Sequence, residues 1–134
     1  MENVAMKIPK SVLFVDDDPE LLSGLRRALR PWSEEYELLF LCGGSAGLQT
    51  LHRRHIDVVV TDWAMPLTHG QTLIEKGHAI RPDTAFIVLS GNAQPETVQK
   101  LTQESIVYLA KPASPAVLMQ AVEDAIDWLE SRQL

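Results

Sequence analysis

The sequence predicts an α/β protein in which a parallel sheet of five strands carries helices on both faces. Five short apolar runs alternate with five segments of helical periodicity along the 134 residues. The segments between the runs are too long for hairpin turns, so successive strands are expected to lie parallel. The runs are apolar at almost every position, which is typical of strands buried on both faces.

Each predicted strand is a short run of apolar residues, many of them β-branched, bounded by polar or turn residues. The third run is the clearest, because three valines and a threonine follow one another. The second and fourth runs add aromatic residues. The predicted strands are residues 11–15, 36–42, 57–61, 84–90 and 105–110.

The predicted helices begin and end at recognisable residues. Asp18 followed by Pro19 is typical of an N-cap and a first helical residue, and Pro31 ends the first helical pattern. In the last helix, apolar residues recur at helical spacing and form a stripe that can pack on the sheet. The predicted helices are residues 19–30, 45–54, 70–80, 95–103 and 115–131.

The composition is that of one compact domain with an acidic balance. Lys and Arg number 12, Asp and Glu number 18, and the net charge is -6. This balance argues against non-specific binding to nucleic acid or to an anionic membrane, and it suits a divalent cation or a basic partner. Cys42 is the only cysteine, so an internal disulfide and a thiolate metal site are excluded. With neither a secretion signal at the start nor an apolar run long enough for a membrane span, we predict a cytoplasmic protein.

Polar groups follow the predicted strands, where ligands bind in open parallel sheets. The first strand is followed by three aspartates, Asp16–Asp18, the third ends at Asp62, the fourth at Ser90, and the fifth is followed by Lys111. The second strand is followed by the segment 42–44, which carries no obvious chemistry. Four of the five strand ends therefore present charged or hydroxyl groups at one edge.

Carboxylates that converge at one edge repel each other unless a cation neutralises them. Oxygen ligands select a hard metal, and Mg²⁺ fits best because it takes a few carboxylates and keeps several waters. A cation, a lysine, a hydroxyl and one further carboxylate are the groups that phosphoryl transfer needs. The carboxylate can itself be the nucleophile and form an aspartyl-phosphate.

Four motifs in this order resemble the receiver domain of two-component response regulators. They are FVDDDP (14–19), VVVTDWAMPLTHG (58–70), VLSG (88–91) and YLAKP (108–112). The resemblance covers residues 10–131 and leaves short tails at 1–9 and 132–134. It implies a flavodoxin-like, doubly wound (βα)₅ three-layer sandwich with strand order 2-1-3-4-5.

The resemblance implies a role for individual residues. Asp62 matches the phospho-acceptor, and Asp16 and Asp17 match the acidic pair that binds Mg²⁺ together with Asp62. Ala64 would give its backbone carbonyl to the metal. Asp18 is expected to lie outside the site and to cap the first helix.

The remaining motif residues match the groups that respond to phosphorylation. Ser90 matches the hydroxyl that meets the incoming phosphoryl group, and Lys111 matches the lysine that pairs with it. Tyr108 matches the aromatic side chain that changes rotamer, which makes Ser90 and Tyr108 the expected switch residues. Pro112 stands where family members carry a proline, often after a cis peptide bond.

The resemblance also implies partners and a mode of action. The phosphoryl group would come from the phosphohistidine of a sensor histidine kinase or a histidine phosphotransfer protein, and a downstream protein or a fused output domain would respond. Family members dimerise or meet partners through the fourth helix, fifth strand and fifth helix. Glu104-Ser105 replaces a common Gly-Ala pair on that face, which puts a standard homodimer geometry in doubt. The chain would phosphorylate and dephosphorylate itself without being a turnover enzyme.

Two other readings remain open at this point. A receiver fold can serve as a binding module without phosphorylation, but such modules usually lose an acidic or lysine position that this chain keeps. A phosphatase of the haloacid dehalogenase type also forms an aspartyl-phosphate, but it needs its nucleophile in the first strand. Here the first strand is followed by Asp18-Pro19-Glu20 instead.

Overall fold

A computed structural model describes residues 8–63, 70–91 and 106–132 of the chain. Its strands form one parallel sheet with the order second, first, third, fourth, fifth. The predicted fold class and strand order are therefore confirmed. The strands are β1 Lys10–Asp16, β2 Tyr36–Cys42, β3 Val58–Asp62, β4 Ala85–Ser90 and β5 Val107–Ala110.

Four helices lie within the described residues, and the predicted helix at 95–103 lies outside them. Asp18 caps the first helix as predicted, because its side chain accepts hydrogen bonds from the backbone N–H groups of Glu20 and Leu21 at 3.0 and 3.3 Å. The helices are α1 Pro19–Ala28, α2 Gly44–Arg53, α3 Gly70–Ile80 and a C-terminal helix Pro115–Ser131.

The first helix is shorter than the prediction, since it ends at Ala28 instead of residue 30. A short 3₁₀ turn, Arg30–Trp32, follows it. Pro31 disfavours α-helical backbone at the residue before it, so the chain leaves the helix before the proline. Apart from the second strand, whose limits match, the strand predictions differ from the structure by one or two residues, because a strand end is set by pairing with its neighbours. Asp62, for example, pairs with Leu89 and belongs to β3.

Alternate side chains of the strands build two separate apolar layers. In β1, Val12 and Phe14 face α1 and the C-terminal helix, whereas Leu13 and Val15 face α2 and α3. This division follows from the two-residue period of a strand. Both faces of the sheet are therefore packed, and the groups at its carboxyl edge stand at the ends of paired strands.

Two glycines in helices are expected to respond in opposite ways to replacement by alanine. A Cβ at Gly77 would lie 2.9 Å from both Leu51 Cδ1 and Phe86 Cζ, whereas at Gly24 the nearest atom is an Arg27 side-chain nitrogen at 3.8 Å. Overpacking a core costs about 1–3 kcal/mol, and a glycine in a helix costs about 0.5–1 kcal/mol relative to alanine. We expect urea denaturation to show Gly77→Ala losing about 1 kcal/mol and Gly24→Ala gaining up to about 1 kcal/mol. Equal shifts of both midpoints would contradict the close packing at Gly77.

A polar network connects β1 to the start of β3 at the edge of the sheet formed by the amino ends of the strands. Asp57 accepts hydrogen bonds from the backbone N–H of Ser11 at 2.8 Å and from its hydroxyl at 3.2 Å. His55 Nε2 lies 2.8 Å from the other carboxylate oxygen of Asp57. Burial alone would raise the pKa of Asp57, but these bonds and the nearby charges of His55 and Lys10 outweigh it, so the pKa is lowered.

Removing the Asp57 charge is expected to destabilise the protein in a pH-dependent way. The pKa of Asp57 is lower in the folded protein than in the unfolded chain. The ionised carboxylate therefore stabilises the fold at pH values above the pKa of the unfolded chain, and this stabilisation is lost as the pH falls through the pKa of the folded protein. At neutral pH, Asp57→Asn should lower the free energy of unfolding by about 1–3 kcal/mol. The difference from wild type should shrink towards zero between about pH 5 and pH 2.

The measurement is urea denaturation of both proteins across that pH range. Asp124→Asn is the control, because it removes an exposed carboxylate from the C-terminal helix. A difference between wild type and Asp57→Asn that stays constant with pH would show that the network does not depend on the carboxylate charge.

Candidate functional site

The carboxyl ends of neighbouring strands bring the predicted site residues to one edge of the sheet. Val15 of β1 pairs with Thr61 of β3, so the next residues along each strand, Asp16 and Asp62, lie side by side. On the other side, β3 pairs with β4, and Ser90 at the end of β4 pairs with Ala110, which precedes Lys111. Residues from four strands thus share one small region.

Asp62 and Lys111 form an ion pair across β4. Lys111 Nζ lies 3.3 Å from Asp62 Oδ1, with side-chain exposures of 31% and 16%. The backbone on both sides is fixed, because the N–H of Lys111 donates to the carbonyl of Ser90 and the N–H of Trp63 donates to the carbonyl of Leu89, each at 3.0 Å. The Asp62 carboxylate is therefore partly accessible to solvent and lies beside a positive charge.

The three consecutive aspartates have different environments. Asp18 lies at the N-terminus of α1 and its carboxylate caps that helix, while its backbone N–H donates to Asp16 Oδ1 at 2.9 Å. Asp16 is buried, with 8% of the residue exposed. The N-cap residue thus orients the Asp16 carboxylate at the end of β1.

Asp17 differs because one of its carboxylate oxygens is left without a hydrogen-bond partner. Within the described part of the chain, Asp17 Oδ2 is the one buried side-chain polar atom that lacks a partner. A buried carboxylate oxygen without a partner costs free energy in the folded state. This oxygen is a candidate for binding a cation.

The Asp16 carboxyl shows the electrostatic cost of this arrangement. Burial raises the pKa of Asp16, and the negative charges of Asp62 and Asp18 raise it further. The hydrogen bond from the Asp18 backbone and the positive charge of Lys111 act in the opposite direction without cancelling the rise. Carboxylates at this edge therefore repel each other when all are ionised.

The donor atoms at this edge fit a hard cation such as Mg²⁺. The carboxylates of Asp16, Asp17 and Asp62 offer oxygen only, and Asp17 Oδ2 has its hydrogen-bonding capacity unused. Among residues 8–63, 70–91 and 106–132, no three His, Cys, Asp or Glu side chains are grouped closely enough to complete a metal site by themselves. Mg²⁺ does not require such a cage, since it usually keeps several waters and needs few protein ligands.

Ser90 and Tyr108 lie together beside the ion pair. Ser90 is buried, with 5% exposed. The Tyr108 hydroxyl donates a hydrogen bond to the Ser90 carbonyl at 3.3 Å, and its ring packs partly buried against the apolar layer formed with α2 and α3. The Tyr108 side chain thus spans from the core to the end of β4.

The segment after β5 brings Lys111 close to β4. The Lys111–Pro112 peptide bond is cis. A Cβ added to Gly91 would lie 3.9 Å from Lys111 Cβ, so the two chain segments run close together at this point.

Several predicted features lie outside the described residues. They include the backbone carbonyl of Ala64, the loop that follows Trp63, and the Glu104-Ser105 pair. The face expected to bind a second copy or a partner is also only partly described, because its fourth helix lies outside these residues. Their predicted roles stay predictions.

The structure adds two residues that the sequence did not single out. Cys42 and Gly43, at the end of β2, contact the backbone of the acidic pair: the Cys42 thiol donates to the carbonyl of Asp17 at 3.4 Å and the Gly43 N–H donates to the carbonyl of Asp16 at 2.9 Å. Neither residue type signals this role in the sequence. The glycine pair after β2 indicates a turn, but only the pairing of β2 with β1 brings that turn to the site.

A family model described as the response regulator receiver domain matches residues 12–123. Among curated proteins, the transcriptional regulatory protein GlrR of Escherichia coli is 33% identical over 120 residues, covering 89% of this chain and 27% of that protein. The sensor histidine kinase TmoS of Ectopseudomonas mendocina is 31% identical, covering 86% of this chain and 12% of that protein. The chain thus spans 27% of the length of the first of these relatives and 12% of the length of the second.

Solved structures give the same likeness in three dimensions. A receiver domain protein from Methanospirillum hungatei, described as CheY-like, has a TM-score of 0.83 and 26% identity, covering 93% of this chain and 99% of that chain. The signal receiver domain of an HD domain-containing protein from Pseudomonas fluorescens has a TM-score of 0.81 and 29% identity, covering 92% of this chain and 99% of that chain.

None of the helices in the described part of the chain combines the length and the apolar character needed to cross a membrane.

Proposed function

Since the chain belongs to the response regulator receiver domain family, we propose that it is a phosphorylation-dependent signalling switch that accepts a phosphoryl group on Asp62. Receiver domains of response regulators are generally signalling modules and not turnover enzymes, and we propose the same for this chain. The observation that carries the proposal is the Asp62–Lys111 pair, at 3.3 Å, at the same edge of the sheet as the buried Asp16 and the partly buried Asp17.

In the proposed reaction, the Asp62 carboxylate attacks the phosphorus of a phosphohistidine in line with the leaving nitrogen. A phosphorus–oxygen bond forms, the phosphorus–nitrogen bond breaks, and the electron pair returns to the imidazole, which takes up a proton. Lys111, held by its backbone bond to Ser90, places positive charge where the transferred phosphoryl oxygens gather. The strands fix both groups before the donor arrives, so little reorganisation is needed.

Mg²⁺, held by Asp16, Asp17 and Asp62 with the backbone carbonyl of Ala64, would supply the positive charge that offsets the carboxylates and the phosphoryl oxygens. The fit rests on an oxygen-only donor set and on the buried Asp17 oxygen that lacks a partner among the described residues. Lowered repulsion at Asp16, whose pKa is raised in the absence of a cation, is the expected electrostatic gain.

Ser90 and Tyr108 are the proposed switch residues. Ser90 would donate its hydroxyl to the phosphoryl group, and the segment that follows β4 would shift with it. Tyr108 already hydrogen-bonds the Ser90 carbonyl, so a movement at Ser90 changes the environment of the tyrosine. A switch of this kind needs phosphorylation to favour one state by several kcal/mol, about 5.5 kcal/mol for a change from 1:99 to 99:1.

The proposed partners are a sensor histidine kinase or a histidine phosphotransfer protein as donor, and an output domain or downstream protein as receiver of the signal. Receivers of this family pair with histidine kinases and output domains, and the relatives include both regulators and a sensor kinase. A homodimer through the fourth helix, fifth strand and fifth helix stays a prediction, as do the domain limits 10–131 and the cytoplasmic location.

The test is the intact mass of the protein after incubation with Mg²⁺ and acetyl phosphate, with a metal-free sample alongside. A Mg²⁺-dependent gain of one phosphoryl group supports the switch. If the folded protein gains none and Mg²⁺ leaves its tryptophan fluorescence unchanged, the alternative is favoured, in which the chain is a binding module on a receiver scaffold.

A further inference from the structure

The turn at the end of β2 contacts the backbone of both aspartates of the acidic pair. The Gly43 N–H donates to the carbonyl of Asp16 at 2.9 Å, which continues the pairing of Asp16 with Cys42 at the end of the β1–β2 ladder. Asp17 lies one residue beyond that last pair. The Cys42 thiol extends the contact to it by donating to its carbonyl at 3.4 Å.

Gly43 has a backbone conformation that favours glycine. Its φ is 93° with ψ 144°, a region that residues with a Cβ rarely adopt. This conformation lets the chain pass from β2 into α2 within one residue. It also brings Gly43 against the acidic pair, since a Cβ there would lie 3.6 Å from Asp17 Oδ1.

The direction of the Asp17 carboxylate therefore depends on its backbone. One of its oxygens, Oδ2, has no hydrogen-bond partner among the described residues, so no hydrogen bond from these residues orients that oxygen. Groups that hold the Asp17 backbone then decide where this oxygen points. Groups that hold a metal ligand in place can change the affinity for the metal without touching the ion.

We propose that Cys42 and Gly43 are positioning residues for the acidic pair, and that they set the affinity of the protein for Mg²⁺ by holding the backbone of Asp16 and Asp17. The inference rests on the proposed Mg²⁺ site. It gives a function to the end of β2, which carries no acidic or hydroxyl ligand. Chemical modification of the Cys42 thiol can test that function.

The experiment uses the fact that Cys42 is the only cysteine in the chain and is exposed. Alkylation with iodoacetamide therefore changes one side chain, removing the S–H donor and adding bulk beside Asp17. Mg²⁺ affinity is measured by titration with MgCl₂ alone, followed by tryptophan fluorescence and by the shift of the urea midpoint. We expect the Mg²⁺ Kd to rise about threefold to tenfold in the alkylated protein and in Cys42→Ala.

Conservative and matched variants separate positioning from folding. Cys42→Ser keeps a donor and should stay within about twofold of wild type, before and after iodoacetamide. Gly43→Ala should weaken Mg²⁺ binding by about tenfold or more. Gly77→Ala, which is expected to lose stability far from the site, should leave the Kd unchanged.

The outcomes distinguish this inference from the function on which it rests. If wild type binds Mg²⁺ and the alkylated, Cys42→Ala and Gly43→Ala proteins bind it equally well, the positioning role is wrong and the Mg²⁺ site stands. If folded wild type binds no Mg²⁺, both are wrong. A rise in Kd that Cys42→Ser avoids and Gly77→Ala does not reproduce supports the positioning role.

Discussion

Replacing Asp62 by asparagine is expected to abolish phosphorylation while leaving the protein folded. The amide keeps the size of the carboxylate but is not a nucleophile, and the side chain lies at a strand end with 16% exposed instead of in the core. Loss of a nucleophile lowers a rate by a factor on the order of 10⁴ or more. Intact mass after incubation with Mg²⁺ and acetyl phosphate should therefore show one added phosphoryl group in wild type and none in Asp62→Asn.

Asp18→Asn is the matched control for this experiment. It removes a charge from the same acidic edge, but Asp18 caps α1 and asparagine is an equally good N-cap residue. The control should take up the phosphoryl group as wild type does. If Asp62→Asn is still phosphorylated, the acceptor is another residue. If both variants fail although both are folded, charge at this edge matters more than the identity of the nucleophile.

The second large effect is a change in the sign of a stability difference when Mg²⁺ is added. Without metal, Asp17→Asn should be as stable as wild type or more stable, because it removes a carboxylate charge next to Asp16 in the chain, and one buried oxygen of that carboxylate has no partner among the described residues. Two like charges 4 Å apart repel by about 1 kcal/mol in water and by more where water is excluded. With saturating Mg²⁺, wild type should gain about 2.7 kcal/mol at a hundredfold excess over the Kd. Asp17→Asn should gain little, so the order of stability reverses.

The measurement is urea denaturation of both proteins with and without MgCl₂. NaCl is added to the metal-free samples to match ionic strength, because salt alone screens the repulsion. Asp18→Asn again serves as control and should gain as much from Mg²⁺ as wild type does, since its carboxylate is occupied by the helix N-terminus. Equal stabilisation of wild type and Asp17→Asn would exclude Asp17 as a metal ligand.

Much of the fold follows from local patterns in the sequence. The limits of β2, α3 and the C-terminal helix match the prediction, because a proline or glycine marks the start or the end of each element. Pro115 starts the last helix and glycines follow β2. The first helix was predicted two residues too long, since the effect of Pro31 begins before the proline itself. The structure also bears out the capping role of Asp18, which is a purely local interaction.

The site could be predicted in part for the same reason. Asp16, Asp62, Ser90 and Lys111 each stand at the end of a run that is recognisable as a buried strand, and parallel strands place their carboxyl ends at one edge. The ion pair between Asp62 and Lys111 joins residues 49 positions apart in the sequence, and the strand order brings them together. The roles of these residues in binding Mg²⁺ and phosphate remain proposals.

The sequence by itself determined which segments become buried parallel strands, where helices start, and which acidic, hydroxyl and lysine side chains stand at strand ends. These are local consequences of hydrophobic pattern, capping and proline geometry. Only the tertiary structure decided which neighbours those side chains meet. Three contacts join segments that are distant in the chain: the hydrogen bonds of Asp57 with Ser11, the close packing at Gly77, and the contact of Cys42 with the acidic pair. The tertiary structure also decided that Asp17 Oδ2 has no partner among the described residues. Such contacts depend on strand order and register, and these are set by the packing of all the layers together.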